Sequence, residues 1–187
     1  MSEAHVRKVA ETQNRNLDRE LLVLSDWIRD TDSFSQVVAR WLQSPVDYML
    51  LSQSKHEVNA SDAAALELAP KALALHRDGL LQSTLSVTPV VLASVRATVV
   101  EERLPWRVRR ELEAGSQQLG AVLARHNVRR HTHEVKQLCG GLVPRAEHGE
   151  PVLRVRATLT TAGKVVATVD EVVYRSLFDR GNPAASS

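Results

Sequence analysis

A single cysteine, Cys139, among 187 residues excludes an internal disulfide and fits a reducing compartment. Aromatic residues make up only 4% of the chain, too few for the base-stacking platforms of a nucleic-acid binder. Neither sign of charge dominates. There are 24 Lys and Arg against 22 Asp and Glu, a formal net charge of +2, and a pI near 8.9. That is mildly basic, without the surplus that marks a polyanion partner. No apolar run approaches the roughly 18 residues that span a bilayer. The stretch from Ser2 to Glu20 is polar and charged, without the apolar centre of a secretion signal. Phosphate-binding glycine loops and serine-nucleophile motifs are also missing. A cytoplasmic, soluble protein is expected, with no nucleic-acid and no membrane partner.

What remains is ordinary globular composition, 43% apolar and 25% charged, in a chain long enough to bury a core without staples. One domain is expected over residues 1–187, with its core at about 16–178 and a disordered tail at 179–187. Rough helical spacing of Leu17, Leu21, Leu22, Leu24 and Ile28 predicts a helix over 4–30. Asp32 or Ser33 is placed to cap a second, from Phe34 to Leu42, stopped before Pro45. Strands are expected at 46–57, with Val46, Tyr48, Leu50 and Ser52 on one side, and at 72–83, 88–101 and 128–138. A closing hairpin is expected, 152–160 and 164–175, turning at Ala162-Gly163. Short helices fall between them: one opened by Ser61-Asp62, one at 106–114 and one at 117–126. Residues 140–150 read as a surface loop. The predicted fold class is α+β, one antiparallel sheet of about six strands with short helices packed on it.

Two charged residues break the alternation of their strands. Glu171 falls in phase with Val165, Ala167, Val169 and Val173, on the side that faces a core. A lone buried carboxylate costs several kcal/mol or takes a proton, so it is paired, shifted by one register, or kept for chemistry. Arg77 falls in phase with Leu73, Leu75 and Leu81. One reading joins the two in a buried ion pair. The other leaves a pocket between them, where arginine holds an anion and glutamate serves as acid, base or hydroxyl acceptor.

Four segments, Asp32-Ser33-Phe34-Ser35-Gln36, Leu75 to Leu81, Gln118 to Leu123 and Val169 to Phe178, stand in an order and spacing that resembles the chorismate pyruvate-lyase family. The likeness is closest to its actinobacterial-type members and runs from about Asn16 to Phe178. It implies a chorismate lyase-like fold and a substrate, chorismate, turned into 4-hydroxybenzoate and pyruvate without a cofactor or metal. It further implies that Arg77 binds the ring carboxylate, helped by backbone N–H groups around Phe34, Ser35, Leu119 and Gly120, and that Glu171 is the catalytic residue at the ring hydroxyl. Ubiquinone-pathway members carry a second arginine just before a Thr-Val-Val strand, where this chain has Ala97. Arg96 should point to the opposite face, which leaves Arg125 or Arg129 as replacements. Two other functions stay open: a non-catalytic sensing domain for a small aromatic acid, and a lyase for a different chorismate-like substrate.

The remaining polar features read as structural. His131 and His133 share a strand face near His126, but no carboxylate or cysteine joins them at zinc spacing. Arg125, Arg129 and Arg130 read as an exposed basic rim. Ser33 and Ser35 suit helix capping better than nucleophilic attack, and Cys139 has no neighbouring base.

Overall fold

The computed structural model describes residues 3–83, 88–114, 118–138 and 147–180, with side chains from residue 16 onward apart from Ala121 and Ala124. Its elements are α1 (Glu3–Arg29), α2 (Phe34–Leu42), β1 (Asp47–Glu57), α3 (Ala60–Ala65), β2 (Leu73–Ser83) and β3 (Val90–Val99). There follow a single 3-10 turn (Glu101–Arg103), α4 (Trp106–Glu113), α5 (Leu119–Ala124), β4 (Arg129–Gln137), β5 (Pro151–Thr161), β6 (Lys164–Tyr174) and α6 (Ser176–Arg180). The strands form one sheet in the order β1-β2-β3-β6-β5-β4, antiparallel at every pairing. This is the α+β architecture the alternating patterns predict.

Two apolar clusters share one face of the sheet. In the first, α1, α2 and α6 press Leu24, Ile28, Val38, Trp41 and Leu177 onto Leu81, Val95, Val155 and Val173. In the second, α4 and α5 press Val108, Leu112, Val122 and Leu123 onto Leu75, Ala97, Leu159 and Val169. Each helix buries one stripe and leaves the other to solvent, which is where most helical stability arises. A strip of sheet remains between the clusters, and the charged inward residues rise from it.

The opposite face carries a row of alternating polarity. Register sets Ser52, Asp78, Arg96, Asp170, Arg156 and Glu134 side by side across all six strands. Ser52 donates to Asp78, and Arg96 Nε donates to Asp78 at 2.9 Å. Arg154, one row over, grips Asp170 with two donors.

Local departures from expectation have identifiable causes. A bulge between Leu50 and Ser52 turns Ser52 to the outer face, away from Tyr48, because one extra residue reverses the alternation. Ser33 occupies the N-cap position of α2 but makes no side-chain cap hydrogen bond; its hydroxyl lies 3.4 Å from that of Ser35. Helix α3 begins earlier than Ser61, capped by Asn59, whose side chain accepts from the Asp62 N–H at 2.8 Å. Asp179 and Arg180, assigned to the tail, close α6 instead. The rest of that tail, residues 140–146 of the 140–150 loop, Gly115-Ser116 and Cys139 lie outside the described residues. The β5–β6 turn falls at Ala162-Gly163 as predicted, with both residues at positive φ, 48° and 76°, the conformation a tight hairpin turn demands.

Candidate functional site

Glu171 and Arg77 do face the core side of the sheet, 3% and 1% exposed. The sequence is paired so that Arg77 stands opposite Ala97 and Glu171 opposite Val95, with β3 running between them. Two interstrand spacings, about 10 Å, separate their strands, so the small Ala97 and Val95 form a floor between two charged walls. Arg96 projects to the other face, as alternation requires.

Around that floor lie Asp32, Ser33, Phe34, Tyr48, Gln118, Leu119, Gly120, Leu159 and Val169, and one residue more, Arg130. Of the expected site residues, Arg77, Glu171, Phe34, Leu119 and Gly120 therefore meet at one cavity. Ser35 does not line it; Ser33, two residues earlier, does. The starts of α2 and α5 both border it.

Arg130 is the principal correction. Its side chain is 3% exposed, not part of an exposed rim, and it makes a two-pronged contact with Glu171. Nη1 donates to Oε1 at 2.9 Å and Nη2 to Oε2 at 2.5 Å. Its Nε donates to Thr132 at 3.3 Å, and its Cζ stands 5.9 Å from the centre of the Phe34 ring. Arg125 and Arg129, named as stand-ins for a second arginine, instead pair on the surface with Glu111 and Asp32 at 3.1 Å each. The parity of β4 carried the missing signal: Arg130 is in phase with Val128 and Thr132, while Arg129 and His131 point the other way.

Tyr48 is the second residue the sequence did not single out for the site. A Cβ on Gly79 would overlap its ring, so the glycine lets the tyrosine lie flat across β2 beside Arg77. Asp32 closes the flank: it accepts from the Arg130 backbone N–H at 3.1 Å as well as from Arg129, tying the turn before α2 to the start of β4.

The electrostatics follow from burial. Desolvation pushes the Glu171 carboxyl above the ordinary carboxylate value, with Arg130 pulling the other way. Burial lowers the Arg77 guanidinium, and Tyr48 offsets part of that, though arginine stays charged at any working pH. Burial also raises the Tyr48 phenol. The cavity these groups enclose measures about 30 Å³, room for roughly one water molecule. Drug-sized ligand sites enclose roughly 300–1,000 Å³, so a ring acid enters only if part of the wall moves.

Elsewhere, His133 forms a 2.7 Å hydrogen bond with Thr158, where β4 carries a bulge, and His131 is exposed. Among the described residues no three His, Cys, Asp or Glu side chains gather as metal ligands would, and no helix is long and apolar enough to cross a membrane.

Solved structures place this architecture in a known class. The effector domain of PhnF from Mycobacterium smegmatis superposes with a TM-score of 0.55 at 14% identity, covering 77% of this chain and 89% of that one. The PhnF protein from the same organism gives 0.57 at 14% identity, covering 80% of this chain and 65% of that one, so this chain matches about two thirds of it. A ligand-binding domain from Bordetella bronchiseptica, assigned to the GntR family of transcriptional regulators, gives 0.50 at 13%, over 70% and 86%. At such identities the likeness is one of fold: the chorismate lyase-like fold found in regulator effector domains. No protein-family profile and no curated protein matches the sequence.

Proposed function

We propose that this chain is a small-molecule-sensing domain whose ligand is a ring-bearing organic acid. The observation that carries this is the cavity itself. Buried cationic side chains, Arg77 and Arg130, line one chamber together with the apolar Phe34, Val95, Leu119, Leu159 and Val169 and the anionic Glu171. Guanidinium groups suit a planar carboxylate by paired N–H donors, and the apolar walls suit a flat ring. Arg77 takes the ring carboxylate, and the backbone N–H groups at the start of α2, a nine-residue helix, supply a favourable field for the same anion. Glu171 is held in both oxygens by Arg130, an arrangement that favours binding over proton transfer, since an engaged carboxylate is a poor general base. The fold shared with regulator effector domains supports the same reading.

A chorismate lyase is the second reading, supported by Arg77 and Glu171 opening onto one cavity across β3. In it Arg130 releases Glu171 to the ring hydroxyl during turnover. One pair of measurements separates the two: titration of the purified protein with 4-hydroxybenzoate, and incubation with chorismate while pyruvate is followed. Saturable binding without pyruvate release is the expected result. Pyruvate release above the spontaneous rate replaces the sensor by the enzyme, and absence of both binding and turnover removes both readings.

A further inference from the structure

The outer face of the sheet holds a space far larger than the cavity between Arg77 and Glu171. Helix α3 crosses that face. Its Asp62 accepts from Thr98 at 3.3 Å and from Thr168 at 3.1 Å, whose chain neighbours Ala97 and Val169 line the inner cavity. Between α3 and β4 lies a cleft of about 500 Å³, within the roughly 300–1,000 Å³ of small-molecule sites. No wall has to move to admit a ligand. We propose that this cleft is a second binding site, for a zwitterion whose ammonium and carboxylate stand about 7 Å apart, the rise of two strand residues. It lies on the face opposite the inner cavity and does not depend on what that cavity binds.

Charge selects this class of ligand. The lining carries three carboxylates, on Asp62, Glu134 and Asp170, and three guanidiniums, on Arg96, Arg154 and Arg156. A net anion or cation gains from one set and is repelled by the other, whereas a zwitterion satisfies both. Arg154 directs two donors at Asp170, and Arg96 turns to Asp78 at 2.9 Å. Asp62, by contrast, forms no ion pair among the described residues. Asn59 donates to it at 2.7 Å, and Thr98 and Thr168 add one hydrogen bond each. A carboxylate has about four lone-pair sites, so one stays available to an ammonium. Arg156 Nε stands 3.7 Å from Glu134 and 3.8 Å from Asp170, both beyond hydrogen-bond distance. Its fork of donors is therefore open to a carboxylate.

Register sets the spacing. Thr168, which holds Asp62, and Asp170, which pairs with Arg156 across to β5, are two residues apart on β6 and share its outer face. The two open charges are thus anchored about 7 Å apart along the strand. A chain of about five carbons with charged ends spans that gap, at bond lengths near 1.5 Å, and an amino acid as short as glycine does not. Ala65 and Ala157 line the cleft, and no Phe, Tyr or Trp does, so the walls suit a narrow methylene chain rather than a flat ring. His76, whose Nδ1 lies 3.3 Å from the Thr98 hydroxyl, does not supply Asp62 with a cation. Burial, and after it the neighbouring His56, hold its imidazole below the ordinary value of 6.5, so it is neutral at pH 7. Glu134 is the competitor for Arg156, and its contact is long and half-exposed.

The test is calorimetric titration of the full chain at pH 7 with 5-aminopentanoate. Pentanoate and pentylamine, each lacking one charge, and glycine, lacking the length, serve as controls. Saturable binding of 5-aminopentanoate is expected, with each control weaker by roughly 10-fold or more, the worth of one hydrogen bond to a charged group. Arg156→Met should lose a similar factor, and Glu134→Gln should bind more tightly because the competing carboxylate is gone. Ala65→Phe, on the exposed side of α3, should abolish binding by filling the cleft, and thermal melts establish that each variant is folded. Excess 4-hydroxybenzoate should leave the titration unchanged. No saturable binding of 5-aminopentanoate to wild type, equal binding of pentanoate or pentylamine, full affinity in folded Arg156→Met, or competition by 4-hydroxybenzoate each overturns the proposal. The sensing reading is decided by the titration with 4-hydroxybenzoate itself, so the two fail separately.

Discussion

Replacing Arg130 by methionine tests the buried pair directly. The side chains are 3% and 4% exposed and meet through two hydrogen bonds, so the variant leaves a carboxylate with neither water nor cation. Removing one partner from such a pair costs about 3–5 kcal/mol, a large share of the roughly 5–15 kcal/mol that holds a domain folded. At about 2–4 °C per kcal/mol for a chain of this size, the midpoint should drop by roughly 6–20 °C at neutral pH. The sign of the pH dependence is fixed by direction alone. Burial holds Glu171 above its ordinary value of 4.5 in the folded protein, so its contribution is fully present below that value and is lost as pH rises through the folded titration. Without Arg130 that titration moves higher still. The variant should therefore sit close to wild type near pH 4 to 5 and fall progressively behind toward about pH 8. Thermal melts by circular dichroism across that range read it out. A deficit that is flat with pH, or a midpoint unchanged at pH 8, would refute the account of Glu171 as an ionised carboxylate that depends on Arg130.

Other substitutions address the rest of the site. Arg77→Met should weaken 4-hydroxybenzoate roughly 10- to 100-fold, the worth of a hydrogen bond to a charged group, measured by titration; unchanged affinity would place the carboxylate elsewhere. Gly79→Ala should displace the Tyr48 ring from β2 and cost about 1–3 kcal/mol as an overpacked contact, read as a shift in a urea unfolding midpoint. Asp78→Asn, in the exposed outer row, should change stability by under about 1 kcal/mol and lose even that at high salt; a larger, salt-independent loss would mean the row is a buried element of the fold.

Part of this site was legible because strand alternation is a local property. Inward Glu171 and Arg77 follow from a period of two and the identities of their neighbours, and the packing of β6 and β2 agrees. The same rule applied to β4 points Arg130 inward. Three arginines within six residues nonetheless read as a rim, because β4 has so few apolar residues to mark its inner side. The Leu51 bulge was not legible either: a one-residue insertion is invisible to periodicity, yet it decides that Ser52 joins the outer row and Tyr48 stays over the cavity.

Composition and pattern alone determined five of the six helices, the six strands, the antiparallel class and the two charges set against the grain of their strands; α6 (Ser176–Arg180) was not among them. Those depend on contacts between residues close in sequence, where period and turn chemistry suffice. Only the tertiary structure decided what each charge meets. Arg130 reaches Glu171 from 41 residues away, at the sheet's far edge and past β5, because the strand order β3-β6-β5-β4 folds a late hairpin between earlier strands. Pairing across such distances is set by how the sheet closes and by the cost of leaving a buried charge alone, and nothing in the spacing of either segment records it.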